Sequence, residues 1–446
     1  MPRSPFAQSS ADEGAFDRLR ASIDPAWIEA ALSATGTATL RKRRLPAEQV
    51  IWLVLGMALY RHRPIDELVE SLDLVLPGSG TSSMAKSAVA QARARLGDEP
   101  LKWLFERCSE TWGHQSARRH GWRGLALYGV DGTTIRVPDS PDNRAHFGSQ
   151  KAGAGRGISG YPLVRAVTLM ALRSHLLVGA TIGPYGDERP MAKQLWTKLP
   201  DDCLAIVDRN FLAANILLPL RSEGTNRHWL TRATKRTSWT RIKKLGRGDE
   251  LVQVEVHRNT RASRPELPRF WEMRAIQYRR RGFPAQTLLT SLTDAKTYPA
   301  DELRVLYHER WEIELGFDEV KTDMLERQEA IRSRTPNGVL QELWAVALAY
   351  NLVRLEMERI AREASVPPSR VSFVMSLRLI RDEWLWAANS RAPGAIPKSL
   401  RRLRDELKRF ILPPRRTERS FPRAVKLKMS NYARKRPVAV SRQAAK

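Results

Sequence analysis

Hydrophobic side chains in the first hundred residues recur at the spacing of α-helices. A first helix is predicted to begin near Pro25, and further helices follow at residues 46–60, 65–74 and 82–96. The apolar face of the first helix consists of Trp27, Ile28, Ala31 and Leu32. Residues 1–20 are polar and mixed, so a frayed segment is expected to precede this all-α unit.

Beyond Trp122 the pattern changes to short apolar runs bounded by Gly, Pro, Asp or Ser, which is typical of β-strands. Two helices interrupt these runs, at residues 188–199 and 211–223. The strands are predicted at residues 125–130, 164–172, 175–182 and 203–207. Strands that alternate with helices in this way favour an α/β core with a mixed sheet.

A second strand-rich segment occupies residues 228–292 and is strongly cationic. Within it, apolar and polar side chains alternate, as expected for strands with one buried face. One helix is then predicted to begin near Ala300 and to run beyond Phe317, and apolar helices follow at residues 338–364 and 371–388. The chain is therefore expected to contain a β-rich insertion and a helical C-terminal region.

The chain is far more basic than solubility requires. Its 446 residues carry 75 Lys and Arg against 48 Asp and Glu, a net charge of +27, and residues 391–446 alone carry +15. Because 42% of its residues are hydrophobic, the chain is expected to fold. The positive excess indicates a polyanionic partner, for which nucleic acid is favoured over an anionic membrane. Most of residues 391–446 is interpreted as a solvated or phosphate-binding tail.

No segment predicts membrane insertion or export. The longest apolar stretch, residues 50–60, is shorter than the roughly 18 residues of a spanning helix, and no apolar region follows the first basic residue as in a signal peptide. Cys108 and Cys203 have no partner at disulfide or zinc spacing. A cytoplasmic protein with two buried, unreactive thiols is expected.

Four polar side chains of the helix at residues 82–96 are candidate DNA contacts: Lys86, Gln91, Arg93 and Arg95. A short helix, a turn and then a basic helix is the order found in helix-turn-helix proteins. An ordinary helical bundle with a solvated basic face explains the same pattern, so the sequence leaves both interpretations open.

Two aspartates each follow directly on an apolar run. Asp131 precedes Gly-Thr-Thr, and Asp208 precedes Arg-Asn-Phe. Both are expected at the carboxyl ends of strands, where α/β proteins bind ligands. A single aspartate in such a position is more often a turn or capping residue, whereas a pair supplies two hard oxygen ligands for a divalent cation.

The helix predicted from Ala300 carries a polar stripe with spacings of three, four and seven residues, at about 100° per residue. The stripe is formed by Tyr307, Arg310, Glu314 and Lys321. Apolar side chains cover much of the remaining surface, so this helix is expected to be buried: Trp311, Ile313, Leu315, Phe317 and Val320. A buried Glu and Arg are costly without partners, which favours a functional site over an exposed amphipathic helix. Asp318 and Glu319 lie off the stripe and are interpreted as solvated charges.

The polar stripe resembles a known signature. Read as Tyr-x2-Arg-x3-Glu-x6-Lys, it is similar to the signature of bacterial cut-and-paste transposases of the insertion-sequence-four family. Asp-Gly-Thr-Thr and Asp-Arg-Asn-Phe stand upstream in the order of that family's two aspartate motifs, and residues 21–77 resemble its N-terminal helical domain. The resemblance spans most of residues 21–360.

This resemblance implies a ribonuclease-H-like core in which Asp131, Asp208 and Glu314 are the catalytic acids and hold two Mg²⁺ ions, for which Mn²⁺ can substitute. The other members of the stripe would contact DNA phosphates near the scissile bond: Tyr307, Arg310 and Lys321. Related enzymes form a hairpin in which an extruded base stacks on an aromatic side chain of the insertion. The candidates here are Trp229, Trp239 and Trp271, although none stands in an evident motif.

The domain boundaries that follow are a helical N-terminal DNA-binding domain at residues 1–110, a ribonuclease-H-like core at residues 111–227 and 293–365, the β-rich insertion at residues 228–292 and a helical, basic C-terminal region at residues 366–446.

The function expected is that of a bacterial DNA transposase, which binds the terminal inverted repeats of its element, cuts them and joins them to target DNA. A homodimer on double-stranded DNA is expected, with the helices at residues 338–388 as contact surfaces, in the cytoplasm and associated with the nucleoid. The alternatives are a transposase derivative that binds DNA without cutting, a nuclease or resolvase that cuts without joining, and a basic structural protein.

Overall fold

The computed structural model describes residues 23–38, 45–72, 74, 85–150, 160–279, 284–326, 331–389 and 396–414. The N-terminal part is all-α, as predicted. Its helices are α1 (Pro25–Ala34), α2 (Ala47–Leu59), α3 (Ile65–Ser71), α4 (Lys86–Leu96) and α5 (Glu99–Arg119). Helix α1 begins as expected, with Pro25 in its first turn and the Asp24 carboxylate accepting the backbone N–H of Ala26. Helix α2 is buried on all sides, because every residue in it from Val50 onwards is apolar. The expected frayed residues 1–20 lie outside the described residues.

One mixed sheet forms the centre of the molecule, and within the described residues it has nine strands in the order β3-β2-β1-β4-β5-β9-β8-β7-β6. The strands are β1 (Ala126–Arg136), β2 (Leu163–Ala171), β3 (Leu177–Pro184), β4 (Cys203–Val207), β5 (Arg227–Arg232), β6 (Thr240–Gly246), β7 (Asp249–Glu255), β8 (Phe270–Tyr278) and β9 (Gln286–Thr290). The remaining helices of this part are α6 (Pro141–Phe147), α7 (Glu188–Gln194), α8 (Ala214–Ser222) and α9 (Arg258–Ser263). The strand predicted at residues 203–207 is confirmed at the same residues.

Strand β1 is longer than predicted. Its parallel pairing with β4 ends at Val130 opposite Val207, which is where the apolar run ends. The strand nevertheless continues to Arg136, because residues 131–136 stay paired with the antiparallel neighbour β2. Asp131 therefore lies inside a strand rather than at its end.

The β-rich segment belongs to the same sheet as the strands that precede it. Strand β5 pairs in parallel with β4 on one side and antiparallel with β9 on the other. The predicted insertion, residues 228–292, thus includes a strand that the core also uses. Its interior is held by the buried Arg274, which donates to Asp249 over 2.7 and 2.6 Å.

The predicted helix from Ala300 is interrupted. Helix α10 (Ala300–His308) ends at a turn, α11 (Trp311–Asp318) follows, and Glu319–Met324 form a π-helix. The single-helix prediction was therefore wrong, and the four stripe residues are spread over three segments. The prediction of burial was also partly wrong, since Trp311 is 51% and Leu315 41% exposed.

The C-terminal region contains α12 (Pro336–Glu363), α13 (Phe373–Asn389) and α14 (Ile396–Lys408). Helix α12 is largely buried and packs against α2 and α5, which argues against the expectation that it offers a dimer surface. The tail is not wholly solvated, because Leu403 and Leu407 of α14 are buried and Arg404 donates to Glu356 of α12 over 2.7 Å. Residues 390–395 and 415–446 lie outside the described residues. Among the described helices, none is long and apolar enough to cross a membrane.

Candidate active site

Asp131 and Asp208 lie beside each other on adjacent strands. Val130 and Val207 are partners in the parallel pairing of β1 and β4, and each aspartate is the next residue along its strand. Asp131 accepts the backbone N–H of Gly132 over 2.8 Å. Asp208 accepts that of Asn210 over 3.4 Å, at the start of a 3₁₀ turn. The predicted pairing of two carboxylates at one point of the sheet is thus present in the fold.

Arg310 joins the helix side of the site to the sheet side. Its Nη2 donates to Glu314 Oε1 over 2.9 Å, and its Nη1 lies 3.6 Å from Asp131 Oδ2. The guanidinium is buried, whereas the Glu314 side chain is 40% exposed. Arg310 occupies the turn between α10 and α11, so the interruption of the predicted helix places this cation among the acids.

The environment of Asp131 disfavours its charged form. Burial raises the pKa of this carboxyl to about 6, and the neighbouring charges of Glu188 and Asp208 act in the same direction. The Gly132 N–H and Arg310 lower the pKa, but not enough to offset burial. A buried carboxyl whose pKa is raised by burial and by nearby acids is a place where added positive charge is stabilised.

The acids have the chemistry of a Mg²⁺ site, since carboxylate oxygens are the ligands this ion prefers. Among the described residues, however, no three His, Cys, Asp or Glu side chains lie close enough to one another to hold a metal ion. Arg310 sits between Asp131 and Glu314 instead. The donor set therefore fits a divalent cation, but Glu314 must exchange its contact with Arg310 for one with the ion.

Tyr307 and Lys321 are the two outer members of the predicted polar stripe. Tyr307 is 6% exposed, and burial raises the pKa of its hydroxyl. Lys321, in the π-helix, is half-buried, and burial together with the nearby Arg165 lowers the pKa of its ammonium. Tyr307 lies close to Arg310 and Asp208, whereas the charged neighbours of Lys321 are Arg165 and Asp318. The helix that was predicted to align the two side chains is broken.

The four candidate DNA contacts of α4 divide into two groups. Lys86, Gln91 and Arg95 are exposed, and Lys86 lies 3.3 Å from Asp66. Arg93 points inward instead, donating to Gln341 over 3.0 Å, to Ser333 over 3.0 Å and to the buried Glu342 over 3.2 Å. The internal network of Arg93 removes this guanidinium from the surface on which a DNA contact was predicted.

The tryptophans predicted to stack an extruded base are largely core residues. Trp229 is fully buried and Trp271 nearly so, and their rings pack 5.1 Å apart at 56°. Trp239 is partly buried. The exposed tryptophan near the acids is Trp311, with the Arg310 guanidinium 4.8 Å from its ring centre.

The sequence analysis did not single out Glu188 as a residue of this region, and it predicted the wrong environment for Glu319. Glu188, at the start of α7, accepts from Asn210 Nδ2 over 2.6 Å and lies 3.5 Å from Arg165. Glu319 was predicted to be solvated but is largely buried, where it pairs with Arg354 and accepts from Tyr350 over 2.8 Å. No local sequence signal identifies either one, because their partners are distant along the chain.

Comparisons with known proteins show which family this chain belongs to. The model of the family Insertion element 4 transposase N-terminal matches residues 13–106, and that of Transposase DDE domain matches residues 123–352. Transposase InsG for insertion sequence element IS4, from Escherichia coli strain K12, is 38% identical over 412 residues, 92% of each chain. The putative transposase InsZ of the same strain is 37% identical over 47% of this chain and 69% of its own length.

Among solved structures, a piggyBac transposase synaptic complex with hairpin DNA covers 91% of this chain and 84% of its own, at 12% identity and a TM-score of 0.39. That likeness is too low to define the fold. The matched domain and the relative InsG show that this chain is a DDE transposase, an enzyme that acts on DNA. Within this class, the chain belongs to the insertion element 4 family, the transposases of insertion sequences.

Proposed function

We propose that this protein binds the terminal inverted repeats of its own insertion sequence, cuts them in a Mg²⁺-dependent reaction and joins them to target DNA by a cut-and-paste route. The observation that carries the proposal is that Asp131 and Asp208 follow the paired residues Val130 and Val207, while Arg310 bridges Asp131 and Glu314. These three acids occur at the positions that the signature assigns to the catalytic triad. A site of this composition suits phosphodiester chemistry, in which negative charge develops on the reacting oxygens.

The strands β1–β4, with the acids on β1 and after β4, are proposed to belong to the ribonuclease-H-like core, and β5 joins this core to the insertion. The proposed boundaries are residues 111–227 and 293–365 for this core, 1–110 for the N-terminal DNA-binding domain, 228–292 for the β-rich insertion and 366–446 for the C-terminal region. The continuous sheet supports a rigid connection between core and insertion.

Asp131, Asp208 and Glu314 would hold two Mg²⁺ ions, with Mn²⁺ able to replace them. When bound, such ions activate an attacking oxygen and stabilise a leaving oxygen. In end cleavage the water oxygen bonds to phosphorus, the bond from phosphorus to the 3′-oxygen breaks, and a proton passes from the water to that 3′-oxygen. In strand transfer the freed 3′-hydroxyl replaces water as the attacking group.

The chain's own cations position the DNA in this proposal. Arg310, Lys321 and the Tyr307 hydroxyl contact phosphates beside the scissile bond. Arg310 is suited to exchange one negative partner for another, because a guanidinium binds carboxylate and phosphate with the same fork of donors. Lys321 is a half-buried cation beside Arg165, so both gain from a nearby phosphate.

Sequence recognition of the inverted repeats is proposed for α4, through Lys86, Gln91 and Arg95, whose side chains are exposed. The cationic tail would add contacts to phosphates without reading sequence. A transposase must bring two ends together, so we propose a homodimer on DNA, in the cytoplasm and associated with the nucleoid.

The test uses purified protein and labelled DNA that carries the terminal repeats of its own element, with Mg²⁺ or with EDTA. Wild type should nick at the element boundary in Mg²⁺ only, and Asp131→Ala, Asp208→Ala and Glu314→Ala should not nick. The exposed Asp142, at the start of α6, provides the control Asp142→Ala, which should cut normally. Tight binding of the ends without cleavage in any metal would instead support a DNA-binding derivative.

Addition of a supercoiled target plasmid separates transposition from simple nuclease action. Joined products that carry the labelled end support the transposase. Cleaved ends that never join would overturn the strand-transfer part of the proposal.

A further inference from the structure

Strand β1 has two faces, and the acids described so far lie on only one of them. Alternate residues of a strand point to opposite faces, so Gly129 and Asp131 share a face. A Cβ built on Gly129 would lie 3.5 Å from Ile313 Cβ, which identifies this as the face covered by α11. Gly132 therefore turns towards the other face of the sheet.

Glu188 covers that other face at Gly132. A Cβ built on Gly132 would overlap Oε2 of Glu188 and lie 3.2 Å from its Cβ. The Glu188 carboxylate thus fills the space in which any larger residue at position 132 would place its side chain. Gly132 is the residue that donates its N–H to Asp131, so Glu188 packs directly on the peptide that orients this acid.

The second oxygen of Glu188 reaches the other aspartate motif. Oε1 accepts from Asn210 Nδ2 over 2.6 Å, and Asn210 donates its own backbone N–H to Asp208. Oε2 lies 3.5 Å from Arg165 Nη1 on β2, which compensates part of its charge. One carboxylate therefore contacts the residue that hydrogen-bonds Asp131 and the residue that hydrogen-bonds Asp208.

We propose that Glu188 is a positioning residue of the transposase site, which fixes Asp131 and Asp208 relative to each other through Gly132 and Asn210. This inference rests on the proposed function, since it assigns the two aspartates a joint task. It also gives a physical reason for two small features of the motifs, the glycine after Asp131 and the asparagine two residues after Asp208.

The first experiment measures Mn²⁺ binding to the DNA-free full chain by electron paramagnetic resonance, and end cleavage in parallel. Glu188→Ala should lower both the Mn²⁺ affinity and the cleavage rate constant by about 10- to 100-fold, the usual effect of removing the partner of a metal ligand. The Kd for terminal DNA should not change, because an acid contributes no phosphate contact. Wild-type Mn²⁺ affinity and cleavage in Glu188→Ala would overturn the proposal.

Three further variants separate positioning from a general loss of charge. Glu188→Gln retains an acceptor for Asn210 and should be less impaired than Glu188→Ala. Glu223→Ala removes an exposed carboxylate at the end of α8, far along the chain from Glu188, and should bind Mn²⁺ and cut like wild type. Gly132→Ala should reproduce the Glu188→Ala defect, because the added methyl group must displace the carboxylate. A Gly132→Ala protein with normal Mn²⁺ binding would contradict the packing argument.

A double-mutant cycle tests the contact without reference to catalysis. Glu188→Ala and Asn210→Ala should shift the urea midpoint of unfolding non-additively, since either change alone breaks the same hydrogen bond. Additive shifts would overturn the proposal. If wild type neither binds Mn²⁺ nor cuts DNA, the proposed function fails, and this cycle still decides whether Glu188 holds the two motifs together.

Discussion

Arg310 donates to Glu314 over 2.9 Å and at the same time lies 3.6 Å from Asp131. One guanidinium thus partly neutralises an acid of the helix and an acid of the sheet. Part of the negative charge of the site is therefore compensated when no other cation is near. Entry of a divalent ion and of a phosphate would give the acids and Arg310 new partners together, which links the two binding events.

The first prediction concerns Glu314. Glu314→Gln should abolish end cleavage and leave the affinity for end DNA nearly unchanged, because the amide keeps the shape of the side chain but is a poor metal ligand. Gel-shift titration and a nicking assay on the same preparation check both parts. Loss of binding in a folded Glu314→Gln protein would show that Glu314 serves DNA binding as well.

The raised pKa of Asp131 makes replacement of this residue stabilising at pH values above about 4, with the full effect reached above about pH 6. The carboxyl ionises near pH 6 in the fold and near 3.8 in the unfolded chain, so wild type loses stability as the pH rises from about 4 to 6. Asp131→Asn does not ionise and should exceed wild type in free energy of unfolding by at most roughly 3 kcal/mol at pH 7. Urea titrations in EDTA at pH 4 and pH 7 check this. If Asp131→Asn exceeded wild type in free energy of unfolding by as much at pH 4 as at pH 7, the raised pKa of Asp131 would not be the cause.

Substitutions at Arg93 and Arg95 should affect different properties, stability in the first case and DNA binding in the second. Arg93→Ala breaks the hydrogen bonds to Gln341, Ser333 and the buried Glu342, and should cost about 1.5–3 kcal/mol of unfolding free energy. Arg95→Ala changes an exposed side chain, and should leave stability intact while reducing the salt slope of DNA binding by about 1. If Arg93→Ala instead reduced the salt slope and Arg95→Ala reduced the stability, the DNA contact of α4 would lie on the face that carries Arg93.

The buried pair of Glu319 and Arg354 should be a major contributor to the position of the π-helix Glu319–Met324, which follows α11. Burial alone would raise the pKa of Glu319, but Arg354 and His175 lower it to about 2. Glu319→Gln should destabilise the fold by about 3–5 kcal/mol at pH 7, since it leaves the Arg354 charge buried and unpaired.

The effect of Glu319→Gln should shrink as the pH falls from 4.5 towards 2, where Glu319 of the wild type is also protonated. Glu363→Gln is the matched control, because Glu363 pairs with Arg404 and Lys408 at the surface, and it should cost about 1 kcal/mol or less. Similar losses of unfolding free energy in Glu319→Gln and Glu363→Gln would show that burial does not make the pair of Glu319 and Arg354 more important for stability than a surface pair.

Removal of residues 415–446 should weaken DNA binding and flatten its salt dependence. This segment carries a net charge of +10. Each lost phosphate contact reduces the slope of log K against log salt by about 0.9. Truncation after Pro414 keeps α14 and its contact between Arg404 and Glu356, so the folded part should retain its unfolding midpoint. An unchanged slope would show that the tail does not touch DNA.

The sequence was most informative where the structure depends on local apolar patterning. The buried strand at residues 203–207 and the neighbouring positions of Asp131 and Asp208 follow from apolar runs of defined length. Strand β1 was cut short in the prediction because residues 132–134 are Gly and Thr, and only pairing with the distant β2 extends it to Arg136.

The helix break at Arg310 could not be predicted, because no glycine or proline marks the turn and the 3.6-residue pattern continues through it. Glu188 and Glu319 were missed for a different reason. Asn210 and Gly132 lie 22 and 56 positions from Glu188, and Arg354 lies 35 positions from Glu319. Such contacts depend on the tertiary fold, which a periodic pattern does not encode.

The unbroken sheet has a consequence for how far the protein can extend along DNA. Five strand-to-strand steps separate β4, which leads to Asp208, from β6 at the far edge, where Arg241, Lys243 and Lys244 are exposed. At about 4.8 Å per step this is roughly 24 Å along the sheet, before twist shortens it. A duplex rises about 3.4 Å per base pair, so on DNA that ran along the sheet this distance would span at most roughly seven base pairs. Hydrogen-bonded strands cannot slide past one another, so the length of this interval is a fixed property of the fold.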